Sequence, residues 1–204
     1  MNKGELRAHF IALLNRSDCP NALADTFIDQ ALGRILRTLR IPSMEQQQAF
    51  TITSGGGLAY FNLPSDLLET IDIYYDGDGL VRIPMHEMVA AQKTGQLGSP
   101  KFFTREQGSF LLHPKPTGGT IKINYYAEFP ALVNDSDSHA LTNSASDAII
   151  YTALGYSSDY FLDDRAEIFE AKASLFLREL QEQADTAEQS GGTQVMRPTH
   201  YYED

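Results

Sequence analysis

The spacing of apolar residues changes twice along this chain, and these changes limit the folds that the sequence allows. Residues 3–15 and 21–40 carry apolar side chains every three or four positions, which is the spacing of an amphipathic helix. From Ser43 the apolar side chains alternate with polar ones in short runs separated by turns, as in β-strands. From Ser146 the helical spacing returns. The pattern predicts an α+β chain, a helical bundle with an antiparallel β-rich insertion.

The N-terminal part is predicted to form a hairpin of two helices that stops at Pro42. The last two turns of the second helix carry three arginines, Arg34, Arg37 and Arg40. They could form a patch that contacts phosphate. Cations at this end of a helix also complement its dipole, and we favour that structural role.

The middle of the chain is predicted to be an antiparallel sheet built from hairpins, because short alternating runs are separated by tight turns. The predicted strands are 46–53, 69–75, 80–83, 109–113 and 120–129. The last two are expected to pair with each other. Turns are predicted at Ser54-Gly-Gly-Gly57 and Asp76-Gly-Asp-Gly79, and a short helix at 84–93. Ile71, Ile73 and Tyr75 are expected to share one strand face.

After a polar loop at 131–145, two further helices are predicted, from Ser146 to about Ser157 and from Asp163 to about Glu188. Ser144 or Ser146 is expected to cap the first, and Asp163-Asp164-Arg165 to open the second. An aromatic cluster is expected at the corner between them, formed by Tyr156, Tyr160 and Phe161. The net charge of the chain is −11, and residues 131–190 hold 12 of its acidic residues against three basic ones.

The last residues, 191–204, lack any period and follow a Gly-Gly pair. They nevertheless contain apolar and aromatic side chains, which a permanently solvated tail seldom carries. We predict a flexible C-terminal arm that becomes ordered on a partner, either a neighbouring subunit or another protein. Its candidate partner-binding residues are Val195, Met196, Arg197, Tyr201 and Tyr202.

The sequence carries no recognisable catalytic, cofactor or metal-binding pattern. The five histidines lie in separate predicted elements, and the nucleophile elbow, zinc-ligand spacing and dinucleotide fingerprint are all missing. The single cysteine, Cys19, is interpreted as a small buried residue rather than a reactive thiol. We therefore expect no enzyme activity and no cofactor. No secretory leader or membrane span is expected either.

One long stretch of the chain resembles the head-to-tail adaptor, or connector, proteins of tailed bacteriophages. Its elements are Leu63-Pro-Ser-Asp-Leu67, Phe110-Leu-Leu-His-Pro-Lys-Pro116, Pro130 with Leu132, Leu141-Thr-Asn143, Asp147-Ala-Ile-Ile-Tyr-Thr-Ala-Leu154 and Asp163-Asp-Arg165. With the N-terminal helix pair, the resemblance covers about 190 residues. A longer β-rich middle, 43–106, and the tyrosine-containing arm depart from a minimal adaptor.

The resemblance implies a structural virion protein of the phage neck, assembled in the host cytoplasm. Such adaptors form a homo-oligomeric ring, commonly of twelve copies, under the portal protein. The ring continues the DNA channel and presents a platform for tail nozzle or tail fibre proteins. It further implies one adaptor domain, 1–190, divided into 1–42, 43–130 and 145–188, followed by the arm at 191–204.

Other functions remain open at this point. A stopper or a tail-tube protein could share the architecture. A carbohydrate-binding module or a small enzyme would be a different class, and exposed aromatic side chains at Tyr125, Tyr126 and Phe129 would favour sugar binding. Strand alternation instead predicts that one of the two tyrosines faces the core and the other faces solvent.

Overall fold

The computed structural model describes residues 1–52 and 60–189, with side chains up to residue 187. The helices are α1 (Lys3–Leu14), α2 (Asn21–Thr38), α3 (Met85–Gln92), α4 (Ala140–Ser144), α5 (Ser146–Phe161) and α6 (Ala166–Gln189). The strands are β1 (Glu45–Ile52), β2 (Tyr60–Asn62), β3 (Leu67–Tyr75), β4 (Asp78–Gly79), β5 (Val81–Arg82), β6 (Phe102–Glu106), β7 (Ser109–His113) and β8 (Gly119–Ala127). The α+β prediction is confirmed. The chain divides into a helical unit, 1–42 with the chain from 131 onward, and a β unit, 43–130.

The helical unit is built around α5, which packs against α1, α2 and α6. Leu6, Phe10 and Leu14 of α1 are all fully buried, as the apolar stripe in the sequence predicts. Asn2 caps α1 by accepting a hydrogen bond from the Glu5 amide at 2.8 Å, and the Glu5 carboxylate accepts one from the Asn2 amide at 3.0 Å. This reciprocal pair fixes where the helix begins.

Charged side chains tie α1 to α2 and to the segment before α4. Arg7 donates hydrogen bonds to Asp25 at 2.6 Å and to Asp135 at 2.6 Å. Lys3 extends its ammonium group to the Leu132 carbonyl oxygen at 2.9 Å. The two carboxylates hold the pKa of the Arg7 guanidinium above its usual range. The network explains how a loop without sequence periodicity takes a defined position on the helices.

The region between β8 and α6 differs from the sequence prediction in two ways. The polar loop contains a helix, α4, which His139 caps through a hydrogen bond from the Thr142 amide. The cap of α5 is Ala145, without a side-chain hydrogen bond, so the predicted serine cap is wrong. The reason is that α4 ends directly against α5, and its last residues leave no room for a free capping turn.

The corner between α5 and α6 lies four residues later than expected, because α5 continues to Phe161. Tyr160 and Phe161 lie against each other with ring centroids 4.8 Å apart, and both contact Phe27 of α2. Leu162 then ends α5 in the left-handed conformation, with φ of 54°. Tyr160 and Phe161 therefore belong to the last turn of α5, and Tyr156 lies earlier in the same helix.

The β unit contains two four-stranded sheets, in the orders β1-β8-β3-β4 and β2-β7-β6-β5. The predicted pairing of β7 with β8 is wrong, since the two strands belong to different sheets. The connection between them is held instead by the segment before β6, where Lys115 and residues 96 and 98 exchange backbone hydrogen bonds of 3.0 Å. These hydrogen bonds hold in place the segment that connects the two sheets.

The Asp76–Gly77 turn closes a hairpin, as predicted, with φ of 48° and 101° at its two residues. The return strand is shorter than predicted. The hairpin partner of β3 is the two-residue strand β4, whereas β5, which lies within the predicted strand 80–83, pairs with β6 in parallel. Ile71 is also not on the buried face of β3, because a register shift between Thr70 and Asp72 turns it outward.

Between the strands of the β unit lies a separate core. Ile73, Leu112, Ile121 and Ile123 are at most 1 % exposed. A row of phenylalanine rings continues this core, with successive centroid distances of 5.1, 5.2 and 5.6 Å along Phe50, Phe61, Phe110 and Phe103. The β unit thus has the apolar contacts of an independent folding unit.

Candidate assembly surfaces

The residues predicted to bind a partner lie outside the part of the chain that the structure describes. They are Val195, Met196, Arg197, Tyr201 and Tyr202 of the arm. The glycine turn predicted at 54–57 also lies outside the described residues. The surfaces that the structure does describe are an edge strand with its groove in the β unit, and an apolar stripe on α6.

Strand β1 forms one edge of its sheet. It pairs antiparallel with β8 along its whole length, from Glu45 opposite Tyr126 to Ile52 opposite Gly119. No described strand pairs with its other side. Every second residue of an antiparallel strand points its N–H and C=O away from its partner, so β1 presents a row of backbone donors and acceptors. Residues 45–49 of this strand are all exposed.

A groove of about 630 Å³ lies beside this edge. Its lining combines Gln47, Gln48 and Phe50 of β1 with Asn62 and the Leu63-Pro-Ser-Asp66 turn, and Tyr125 closes one end. The Tyr125 hydroxyl donates a hydrogen bond to Asp66 at 3.1 Å. Burial, with a smaller contribution from Asp66, raises the pKa of Tyr125. The groove therefore offers the apolar side chains of Phe50, Leu63 and Pro64, together with polar groups that include the Asp66 carboxylate.

The three aromatic residues considered for sugar binding do not form an exposed platform. Tyr125 is buried in the core, whereas Tyr126 and Phe129 are half-buried. The alternation along β8 explains the difference between the two tyrosines. Nothing in this arrangement favours carbohydrate recognition.

Helix α6 has an apolar stripe on its outer face as well as on its buried face. Phe169 and Ala173 are buried against α5. Ile168, Ala171 and Leu175, spaced three and four residues apart, form the outer stripe, with Ile168 57 % and Leu175 39 % exposed. A helix with two apolar faces is typical of one that packs on a second partner.

The outer surface of α6 is also acidic. Its exposed acidic residues are Glu167, Glu179, Glu182 and Asp185, and its basic residues are Lys172 and Arg178. Of the basic pair, Arg178 lies 3.5 Å from Glu182. A helix surface of this charge repels the phosphate backbone of DNA.

Two of the three arginines near the end of α2, Arg34 and Arg40, are engaged within the helical unit, and Arg37 is exposed. Arg34 forms a two-pronged ion pair with Glu170 of α6, which lowers the pKa of that carboxyl group. Arg40 donates to the carbonyl oxygens of Leu36 and Leu39, at 3.0 and 2.7 Å. These contacts correspond to the structural role that the sequence favours. Cys19 is likewise buried, and burial raises the pKa of its thiol.

The Asp163-Asp164-Arg165 segment connects α6 to α1. The Arg165 guanidinium donates to Asp163 at 2.6 Å and to the carbonyl oxygen of Leu14 at 3.1 Å. Asp163 also accepts the Arg165 amide at 3.0 Å. These hydrogen bonds lower the pKa of Asp163 from 3.8 to about 2.

We expect the Asp163→Asn variant to lose part of its stability in a pH-dependent way. A carboxyl group whose pKa is lower in the folded state contributes stability above its unfolded pKa, and that contribution is lost as the pH falls through the folded pKa. The wild type should therefore lose stability more steeply than the variant between about pH 4 and about pH 2. Urea unfolding across this pH range measures the difference. The exposed neighbour Asp164→Asn is the matched control, and equal pH slopes in wild type and D163N would contradict the assignment.

Within the described residues, no group of three or more His, Cys, Asp or Glu side chains is placed to hold a metal ion. Among the described helices, none is both long and apolar enough to span a membrane. The features that stand out are surfaces for packing and strand pairing, which are typical of an assembly protein.

Comparison with known families agrees with that class. The model of the SU10 adaptor protein family matches residues 1–199, and the chain therefore belongs to this family of phage head-to-tail adaptors. The family is structural and non-enzymatic, and its members are components of the virion neck. A search of curated proteins found no match to this chain.

The edge position of β1 and the outer stripe of α6 were not predicted from the sequence. The stripe could have been found, because Ile168, Ala171 and Leu175 repeat at helical spacing. The edge position of β1 could not have been predicted, because the strands that pair with β1 lie far from it in the sequence. The sequence identified β1 as a strand and nothing more.

Proposed function

We propose that this phage adaptor forms a ring, of about twelve copies, that joins the portal to the tail and continues the DNA channel. The observation that carries the proposal is the extent of the family match, 1–199, which includes both the helical unit and the β unit. Neither unit is then an unrelated addition, and both belong to the adaptor. Residues 1–190 act as one adaptor domain, and residues 191–204 act as an arm.

A ring needs a head-to-tail contact that buries one patch on each side of every subunit. The outer stripe of α6 supplies an apolar patch on a rigid element. The acidic residues of the same helix support an electrostatic role, because a negatively charged channel wall lets DNA slide without binding it. The portal and a tail nozzle or tail fibre protein are the expected partners above and below the ring.

The decisive experiment mixes the protein with its cognate portal and determines mass and symmetry by native mass spectrometry and particle imaging. A ring bound to the portal in a fixed ratio is the expected result. A protein that stays monomeric and does not bind the portal would contradict the proposal. The same measurement without residues 191–204 tests whether the arm contributes to assembly.

Introducing charge into the outer stripe is expected to prevent ring formation without unfolding the chain. The variant Ile168→Asp with Leu175→Asp would place two carboxylates in an apolar contact, and we expect association to weaken at least about tenfold. Native mass spectrometry with portal measures the loss, and circular dichroism checks the fold. Glu179→Gln on the same helix is the control. Normal rings from the double variant would exclude the stripe as the subunit contact.

A further inference from the structure

We propose that the outer edge of β1 binds residues 193–197 of a neighbouring copy as an added antiparallel strand. This inference rests on the proposed ring and identifies the partner of the arm within it. Three observations support it: the β1 edge is long and unprotected, the other sheet edges are short, and the sequence of the arm suits a strand.

The β1 edge lacks the devices by which proteins protect exposed strands. Natural edge strands are short, or carry lysine, proline or a bulge that prevents further pairing. β1 has eight residues in unbroken register with β8. It contains no proline and no lysine, and Glu45 is its only charged residue. Such an edge is expected to be covered by another strand in the assembled protein.

The other described edges cannot cover it. They are β2, with three residues, and β4 and β5, with two each. Pairing of β1 with any of these in a neighbouring copy would leave most of the edge open. Two β1 strands could pair with each other, but that contact is twofold symmetric and closes a dimer instead of continuing around a ring.

The composition of the arm suits the edge. The segment 193–197 begins four residues after Gln189, and an extended linker of that length spans about 13–14 Å. Thr193-Gln-Val-Met-Arg197 contains two β-branched residues, which favour strands. Pro198 follows directly, and because proline has no N–H it ends the pairing at that residue.

The charges determine the orientation. Arg197 is the only arginine or lysine after Arg178, and Glu45 is at the N-terminal end of β1. An antiparallel strand places Arg197 opposite Glu45 and Thr193 opposite Ala49, whereas a parallel strand would move Arg197 away from the carboxylate. In the antiparallel register Met196 lies opposite Gln46, on the face of β1 that carries Phe50 and borders the groove, and Val195 lies opposite Gln47 on the other face. The groove thus receives an apolar side chain of the arm.

The test uses two preparations that each carry one engineered cysteine, both in a Cys19→Ala background. One carries Gln47→Cys and the other Val195→Cys, so a disulfide between the two positions forms only between copies. Directly opposed residues in neighbouring strands bring their Cβ atoms close enough for a disulfide. Mixed rings assembled on portal are expected to give a covalent dimer on oxidation.

The matched control replaces Gln47→Cys by Gln48→Cys, whose side chain faces the other side of the sheet. We expect at least about tenfold less covalent dimer, since a shift of one residue reverses the side-chain direction. Equal yields would overturn the register. Rings that form with no dimer from Gln47→Cys with Val195→Cys would overturn the inference and leave the ring intact. No ring with portal would overturn the proposed function, and with it the inference.

A charge exchange gives an independent readout. Glu45→Arg or Arg197→Glu alone is expected to lower the yield of covalent dimer by up to about fivefold, since an opposed charge pair contributes at most about 1 kcal/mol. The two changes together, Glu45→Arg with Arg197→Glu, are expected to restore it. Failure of the double variant to recover the yield would overturn the antiparallel orientation.

Discussion

Replacing Phe10 by alanine is expected to lower the free energy of unfolding by about 3–5 kcal/mol. The side chain is fully buried in the helical unit, and its ring centroid lies 6.0 Å from that of Phe27. Alanine would remove most of the apolar surface at this position and leave a cavity between α1 and α2. Close-packed interiors relax only partly around such a loss, so the cavity adds to the lost transfer free energy.

Urea unfolding followed by circular dichroism measures this change, with Val133→Ala as the control. Val133 belongs to the same unit but is 74 % exposed, so its truncation is expected to change stability by less than about 0.5 kcal/mol. Amide hydrogen exchange shows which part of the chain is destabilised. A loss below about 1 kcal/mol for Phe10→Ala would show that the site is not the packed core position described here.

The long helices α1, α2, α5 and α6 were predictable from the sequence because their signals are local, whereas the five-residue α4 was not. The stripe of Leu6, Phe10 and Leu14 and the Asn2–Glu5 capping box all lie within a few residues of the turns that they specify. The same holds for the Asp76–Gly77 hairpin turn, which depends on two residues that adopt positive φ. At these positions, residues that are close in sequence determine the local structure.

The sheets were only partly predictable because their partners are distant in sequence. β7 and β8 are adjacent in the chain and alternate in the expected way, but β8 pairs with β1, about 75 residues earlier, and with β3. Alternation identifies which residues form a strand and cannot identify its neighbours. The same limit applies to the candidate site, since the exposed edge of β1 depends on which strand takes its other side.

The prediction of the arm depended on composition, not on periodicity, and it stays a prediction. What the structure adds is a described surface of matching type. The edge of β1 offers backbone hydrogen bonds, the groove offers apolar contact near Phe50, and Glu45 offers a charge. A contact that combines backbone hydrogen bonds, apolar packing and one charge pair is specific without a large preformed interface, which suits the proposed ring.

The Gly119→Ala variant is expected to destabilise the β unit by about 3 kcal/mol, as the sum of backbone strain and lost hydrogen bonds. Gly119 has φ of 95°, a conformation that side-chain-bearing residues rarely adopt. A Cβ atom there would lie 2.5 Å from the Asp76 carboxylate and 2.6 Å from the Tyr75 hydroxyl. The Tyr75 hydroxyl donates to the Gly118 carbonyl at 2.6 Å, and Asp76 accepts the Thr120 amide at 2.8 Å, so both contacts would be displaced.

Gly108→Ala is the matched control, because a Cβ atom at that position meets no atom within 4 Å and the residue does not have a positive φ. We expect it to change stability by less than about 1 kcal/mol. Urea unfolding of the three proteins gives the comparison, and amide exchange in β8 and β3 reports whether the loss is local. Because Gly119 pairs with Ile52 at the last residue of β1, its substitution should also loosen that end of the edge strand. Equal stability of G119A and G108A would show that the start of β8 tolerates a side chain and that the turn at Asp76 is not held as described.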